Sequence, residues 1–230
     1  MPIVIYKSVV SPPARATMML VNILGLKVKT REVNLPTRDQ HKPEYLKKNP
    51  MHTVPMLEDD GFVLVDSHAI MMYLISKYGE EQQALYPKEV TARAKVDQHL
   101  FFNASVLFPR LRTTIYSIVK YKTPGPTDLQ AADIVECYDV VEKYLEVTPY
   151  ISGDVLTLAD ISCVATLSSL NCIIEIDKKY VKLHVWWARL QTERWYQEEN
   201  EPGLKIFNGI LFRPFLTEFK NRKRACIQSF

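Results

Sequence analysis

The spacing of apolar residues changes near position 80. Before it, short apolar runs alternate with helical stretches. Ile3-Val4-Ile5-Tyr6 predicts a strand. Ser11-Pro12-Pro13 predicts a helix start, because serine caps well and proline suits the first turn. That helix runs through Met18, Met19, Val21 and Leu24, and Gly25 ends it. Thr30 to Asn34 reads as a second strand, and Pro43 to Asn49 as a short polar helix closed by Pro50. Val54 to Leu57 and Phe62 to Val65 flank Glu58-Asp59-Asp60-Gly61, the pattern of a hairpin. Ser67 opens a last helix ending at Tyr78-Gly79. The order βαβ-α-ββα predicts one mixed sheet, parallel across the first crossover and antiparallel at the hairpin.

Glu80 to Glu89 is polar, holds Pro87 and has no period, so residues 80–90 read as a linker. Beyond it every long segment is helical. Val96, Leu100, Ala104, Leu107, Leu111, Ile115 and Ile118 predict one long helix kinked at Pro109. Thr127-Asp128-Leu129-Gln130 is a capping box for a helix through Ile134, Tyr138, Val141 and Leu145. Gly153-Asp154 turns the chain, and Thr157-Leu158-Ala159-Asp160 starts a nearly uncharged, buried helix in which Asp160 is a cap. Val185 to Trp195 and a segment opened by Pro202-Gly203-Leu204, carrying Ile206, Phe207 and Ile210, complete the series. The expected architecture is an α/β domain over residues 1–79 and an all-α domain over 91–230.

Composition narrows the function. A 47% hydrophobic chain of 230 residues can fill real cores, and a net charge of +3 gives no global reason to bind nucleic acid. No apolar run nears the roughly 20 residues that span a bilayer, and Met1-Pro2-Ile3-Val4-Ile5 lacks the features of a secretory signal. A cytoplasmic protein is expected. Cys137, Cys163, Cys172 and Cys226 lack metal or redox spacing and read as free thiols. Cys226 is fifth from the end and so misses the prenylation pattern. Lys220, Arg222, Lys223 and Arg224 read as a solvated tail.

The candidate chemistry lies in two short stretches. In His52-Thr53-Val54-Pro55, a cis Val54-Pro55 bond would turn Val54's N–H and C=O outward to pair with a peptide-like ligand. In Asp66-Ser67, the start of a helix offers exposed N–H groups and positive dipole, which suit a carboxylate. Together they read as a receptor for a small acidic peptide.

Five segments, Ser11-Pro12-Pro13-Ala14-Arg15-Ala16, Asn49 to Pro55, Asp66 to Ile70, Leu107 to Arg112 and Leu156 to Asp160, resemble the cytosolic glutathione transferases of the arthropod delta and epsilon classes. His68 makes the likeness epsilon-like. The resemblance implies a thioredoxin-like N-terminal domain, an all-α C-terminal domain, a homodimer and glutathione as co-substrate without a metal. It also implies conjugation of glutathione to hydrophobic electrophiles, hence detoxification, with peroxidase activity toward organic hydroperoxides as a second use of the same thiolate.

The resemblance implies roles as well. Ser11, on its own only an N-cap, becomes the catalytic hydroxyl that donates to the glutathione sulfur; Tyr6 is the rival hydroxyl. Asp66 and Ser67 would hold the γ-glutamyl end, Val54 before Pro55 the cysteinyl part, and Thr53, His52 and, more weakly, His68 complete the site. The histidine of the family that faces the glycine end falls at Gln40, with His41 displaced by one. Affinity is then reduced unless His41 or Lys42 substitutes. Phe108, Leu111, Arg112, Ile115, Tyr116 and Val119, with Leu204 and Phe207, are the expected lining for the second substrate. Arg112 stands out, since a charge on that face calls for an acid or a substrate. No acidic residue lies between Gln98 and Thr127 to meet a steroid hydroxyl. A relative that keeps the fold as a ligand carrier is the non-enzymatic alternative.

Overall fold

The computed structural model describes residues 2–212; the basic cluster at 220–224 and Cys226 lie outside them. Four strands, β1 (Val4–Lys7), β2 (Lys29–Glu32), β3 (Met56–Asp59) and β4 (Phe62–Val65), form one sheet in the order β2-β1-β3-β4. β1 and β2 run parallel, β3 lies antiparallel to β1, and β4 antiparallel to β3. The mixed sheet is the one the pattern predicts. Strands β2 and β3 sit one or two residues away from their predicted bounds.

α1 (Pro12–Ile23) crosses from β1 to β2. It ends because Gly25 takes φ +60°, which lets the N–H groups of Gly25 and Leu26 return to the carbonyls of Asn22 and Val21. The β3–β4 hairpin turns on Asp60 and Gly61, both at positive φ, the geometry that matches strand twist. α2 (Pro43–Leu46) is shorter than predicted and follows a single 3₁₀ turn at Asp39–His41. α3 (Ser67–Tyr78) is pinned to the hairpin by Asp59, whose Oδ2 accepts from Tyr73, Lys77 and Tyr78 at 2.6–2.7 Å.

The aperiodic 80–90 stretch is partly ordered by its one buried residue: Glu80–Leu85 forms a 3₁₀ segment, with Leu85 in the core. The long helix predicted across 96–118 is three pieces: α4 (Val90–Phe102), a wide π turn (Asn103–Leu107) and α5 (Phe108–Lys120). Pro109 lacks an N–H and its ring crowds the carbonyl four residues back. A wide turn just before it absorbs that conflict without ending the rod.

α6 (Asp128–Val147) and α7 (Leu158–Asn171) start in the two capping boxes read from sequence. Trp195 does not extend the next helix. α8 (Val181–Gln191) stops where Glu193 turns extended, and Trp195 belongs to α9 (Arg194–Glu199). α10 (Glu201–Ile206) follows and passes into a π segment at Phe207–Phe212. One apolar core runs from Ile3 to Phe207 through both halves. α1 packs on α7, α9 and α3 within it.

Candidate functional site

Topology alone gathers the predicted site. β1 and β2 are parallel, so the loops leaving both open at one edge of the sheet. The antiparallel pairs Tyr6↔Met56 and Met56↔Val65 bring the entry to β3 and the exit of β4 to that edge too. Four segments therefore meet there: Ser8–Ser11, the 33–42 loop, His52–Pro55 and Asp66–Ser67.

Ser11 caps α1 in extended conformation, with its C=O accepting Arg15 N–H at 2.9 Å. Its hydroxyl accepts from Ala14 N–H at 3.5 Å, beyond the usual range for such a bond. The cap is slack, and the O–H proton is free to point elsewhere. Behind it, α10 lies against the same loop: a Cβ on Gly203 would sit 2.0 Å from the Val9 carbonyl oxygen and 2.7 Å from Arg15 Cδ. Arg15 itself is 2% exposed. It donates to Asn200 Oδ1 (2.9 Å), the Asn200 carbonyl (3.3 Å), Ser169 Oγ (2.5 Å) and the Ala165 carbonyl (3.4 Å). Burial lowers it to about 10, still charged at neutral pH.

Val54-Pro55 is cis. Among the described residues no hydrogen bond engages the Val54 N–H or C=O. The loop before it is tied down from below: the Thr53 carbonyl accepts from Tyr45 Oη (2.5 Å) and Asn49 Nδ2 (2.8 Å). Sequence reasoning missed both anchors. The available signal was Asn49, a polar residue that the fold buries completely.

α3 opens at Ser67, as the pattern predicts, and Asp66 just before it is the cap. Asp66 adopts φ +74°, a left-handed backbone that costs a non-glycine residue about 1–3 kcal/mol. There its Oδ1 accepts from the N–H groups of His68 (2.9 Å) and Ala69 (3.2 Å). A hydrogen bond from the His68 ring and these helix N–H groups hold Asp66 below the usual carboxylate range against the opposing effect of burial. Ser67 is buried at the first helical position.

His68 reaches the other way. Its Nε2 lies 2.9 Å from Ser162 Oγ and 3.3 Å from Asn103 Nδ2, while Nδ1 is 3.5 Å from Asp66. Asn103 Nδ2 donates to Ser162 Oγ at 2.5 Å. Asn103 opens the π turn and is buried, so the irregular turn delivers an amide from the helical half to the edge of the sheet. Neither Asn103 nor Ser162 was read as a site residue. Asn103 sits between Leu100 and Leu107 on the apolar repeat, the one sign the sequence offered.

At the far end of the edge, Lys42 is committed to Asp39 at 2.7 Å. His41 stacks on His52, with centroids 4.5 Å apart and planes 29° apart. Partial burial and the charges of Arg38 and His52 keep His41 below the ordinary histidine range. Gln40 Oε1 is buried without a hydrogen-bond partner among the described residues.

Tyr6 faces elsewhere. It packs with Val33, Tyr45 and Met56 in a separate cluster, and its Oη accepts from Arg31 and Lys48. Of the expected second-substrate lining, Leu111 is fully buried in the main core and Phe207 nearly so, which is the ordinary fate of apolar residues at helical spacing. Phe108, Ile115, Val119 and Leu204 are half-buried, and Arg112 and Tyr116 are exposed. Among the described residues no cluster of histidine, cysteine and acidic side chains could hold a metal ion.

Comparison with known proteins agrees with this layout. The family model for the glutathione S-transferase N-terminal domain matches residues 5–82. Glutathione S-transferase 1 of Manduca sexta is 40% identical over 210 residues, spanning 90% of this chain and 96% of its own. An epsilon-class glutathione S-transferase from the housefly, Musca domestica, superimposes with a TM-score of 0.88 at 41% identity, over 91% of this chain and 96% of that one. A glutathione transferase homolog from Drosophila mojavensis, solved with bound glutathione, gives 0.88 at 39% identity over the same shares.

Proposed function

The chain belongs to the glutathione S-transferase family, and from that membership we propose that it is a serine-type enzyme that activates glutathione at Ser11. The family activity is transfer of glutathione to an electrophile. The observation that carries the serine assignment is the slack cap at the start of α1, where a hydroxyl bonded at only 3.5 Å stays available to donate. A thiol of ordinary pKa is mostly protonated at neutral pH, yet the thiolate is the nucleophile. The hydroxyl and the positive end of α1 together favour the anion. Its proton leaves to solvent, its sulfur bonds the electrophilic carbon, and the leaving group departs with its electron pair.

The other groups orient the tripeptide. Asp66 meets the ammonium and Ser67 the α-carboxylate of the γ-glutamyl end. Val54 pairs through its backbone with the cysteinyl residue. His41, on His52, stands in at the glycine carboxylate for the histidine that Gln40 lacks, since Lys42 is held by Asp39. Residues 1–79 form the glutathione domain, and the helical segments that follow residue 90 carry the wall for the second substrate. The enzyme works as a cytoplasmic homodimer in detoxification, and the same thiolate reduces organic hydroperoxides.

The test is turnover of chlorodinitrobenzene with glutathione affinity measured on the same preparations. Ser11→Ala is expected to lose about a hundredfold in kcat, the scale of removing one aimed donor from a reacting anion, while glutathione still binds. Near wild-type turnover would sink the serine assignment. Binding without turnover in the wild type would instead favour a ligand carrier.

A further inference from the structure

α5 carries two cations, Arg112 and Lys120, that no carboxylate among the described residues neutralises. Between Gln98 and Thr127 there is no acidic residue, yet Arg110, Arg112, Lys120 and Lys122 all fall there. Arg110 is accounted for: it pairs with Glu136 on α6 and donates to Cys137 Sγ at 3.0 Å. Arg112 and Lys120 are different. Among the described residues neither lies within ion-pair distance of a carboxylate. Arg112 sits over the Tyr116 ring, 4.9 Å from its centroid, and Lys120 lies between two rings, 5.9 Å from that of Tyr116 and 5.4 Å from that of Tyr121. The Arg112 contact to the Tyr116 hydroxyl is 3.5 Å, too long to occupy the guanidinium.

Phe108, Arg112, Tyr116 and Lys120 follow one another in steps of four, a single row on the helix surface. The neighbouring face, Leu111, Thr114 and Ile118, is buried. Phe108 and Ile115 edge the core and are only half covered by it. The row thus joins an apolar margin to two cations separated by an aromatic ring that is 43% exposed.

We infer that the Arg112–Tyr116–Lys120 row is a subsite for an anionic substituent, and that the preferred second substrates are aromatic electrophiles bearing a carboxylate or sulfonate. The inference rests on the transferase reading. A planar guanidinium matches such groups with two parallel hydrogen bonds, and the Tyr116 ring stacks on a flat partner. On the transferase reading, which puts Arg112 and Tyr116 in the second-substrate wall, the cations also offset a specific cost, since an anionic electrophile approaching a thiolate is repelled. In the reaction the thiolate sulfur displaces chloride from the aromatic carbon and the anionic group takes no covalent part.

The test compares chlorodinitrobenzoate with neutral chlorodinitrobenzene in wild type, Arg112→Gln and Tyr116→Leu. The quantity read is the ratio of the two kcat/KM values, in which effects shared by both substrates cancel. We expect Arg112→Gln to lower the ratio about tenfold, the scale of one charged hydrogen bond. Tyr116→Leu should lower it less, and added salt should depress the ratio in wild type but not in Arg112→Gln. A ratio unchanged within about twofold in Arg112→Gln overturns the subsite. If neither substrate turns over, the transferase reading fails on its own, and calorimetry of nitrobenzoate binding then decides the subsite. Binding lost in Arg112→Gln supports it, and equal or absent binding in both proteins overturns it.

Discussion

The N-terminus of α7 and the N-termini of α1 and α3 use the same capping chemistry to different ends. At α7 nothing is left over. Asp160 is completely buried and its two oxygens accept from Ile151 N–H, Thr157 N–H, Thr157 Oγ1 and Trp186 Nε1, each at 2.9 Å. At α1 the Ser11 hydroxyl barely touches its N–H, and at α3 Asp66 satisfies two donors while staying largely exposed. A fully consumed cap can only hold the fold together. A cap with capacity to spare, opening at a sheet edge, can also hold a ligand.

Three substitutions sharpen that contrast. The largest effect belongs to Asp160→Ala, which strands four buried donors. It is expected to cost about 4 kcal/mol of stability, seen as a large drop in the denaturant midpoint, with specific activity of the folded fraction nearly retained. A small stability loss would mean that the saturated cap is dispensable. Next comes Ser11→Ala, already assigned its loss of turnover. Because its cap bond is slack, the stability change should stay below about 0.5 kcal/mol, the low end for losing a capping residue. A loss near 2 kcal/mol would make Ser11 a structural cap after all. The smallest and most mixed effect is that of Asp66→Ala: about 1 kcal/mol from the cap, and roughly tenfold in the KM for glutathione from the lost charged partner.

The acid limb has a definite sign. Asp66 is held below its ordinary value in the folded protein. Its contribution is therefore complete above about pH 4, the unfolded value, and disappears as pH falls through the lower folded one. A unfolding midpoint that is flat from pH 7 to 5 and falls at lower pH in wild type, with a shallower fall in Asp66→Ala, is the expected record.

The same contrast explains what was legible in the sequence. Ser11-Pro12, Val54-Pro55, Asp66-Ser67 and both capping boxes announce themselves because each is solved locally, by residues within three positions of one another. The mixed sheet, parallel across the first crossover and antiparallel at the hairpin, followed from those elements and simple connection rules, whereas the strand order β2-β1-β3-β4 came only with the structure. Asn103 and Ser162 were invisible because they matter only through His68, 35 and 94 residues away in the chain. Arg15 was seen as part of a motif, but its role as a buried tie to Ser169 and Asn200 depends on tertiary contacts. Leu111 and Phe108 have the same spacing signature, and only packing decides that one is buried and the other lies at the margin of the core.

The contact between Gly203 and the Val9 carbonyl has a consequence in time. Gly203 follows Ser11 by 192 residues, and a ribosome adds about 5–20 residues per second. For roughly ten to forty seconds of each synthesis, the loop that carries Ser11 exists without the helix that backs it, and the Arg15 guanidinium exists without Asn200. The nascent chain can build its sheet early, but the edge of that sheet where the sulfur is to be held gains its full support only as the last described helix arrives.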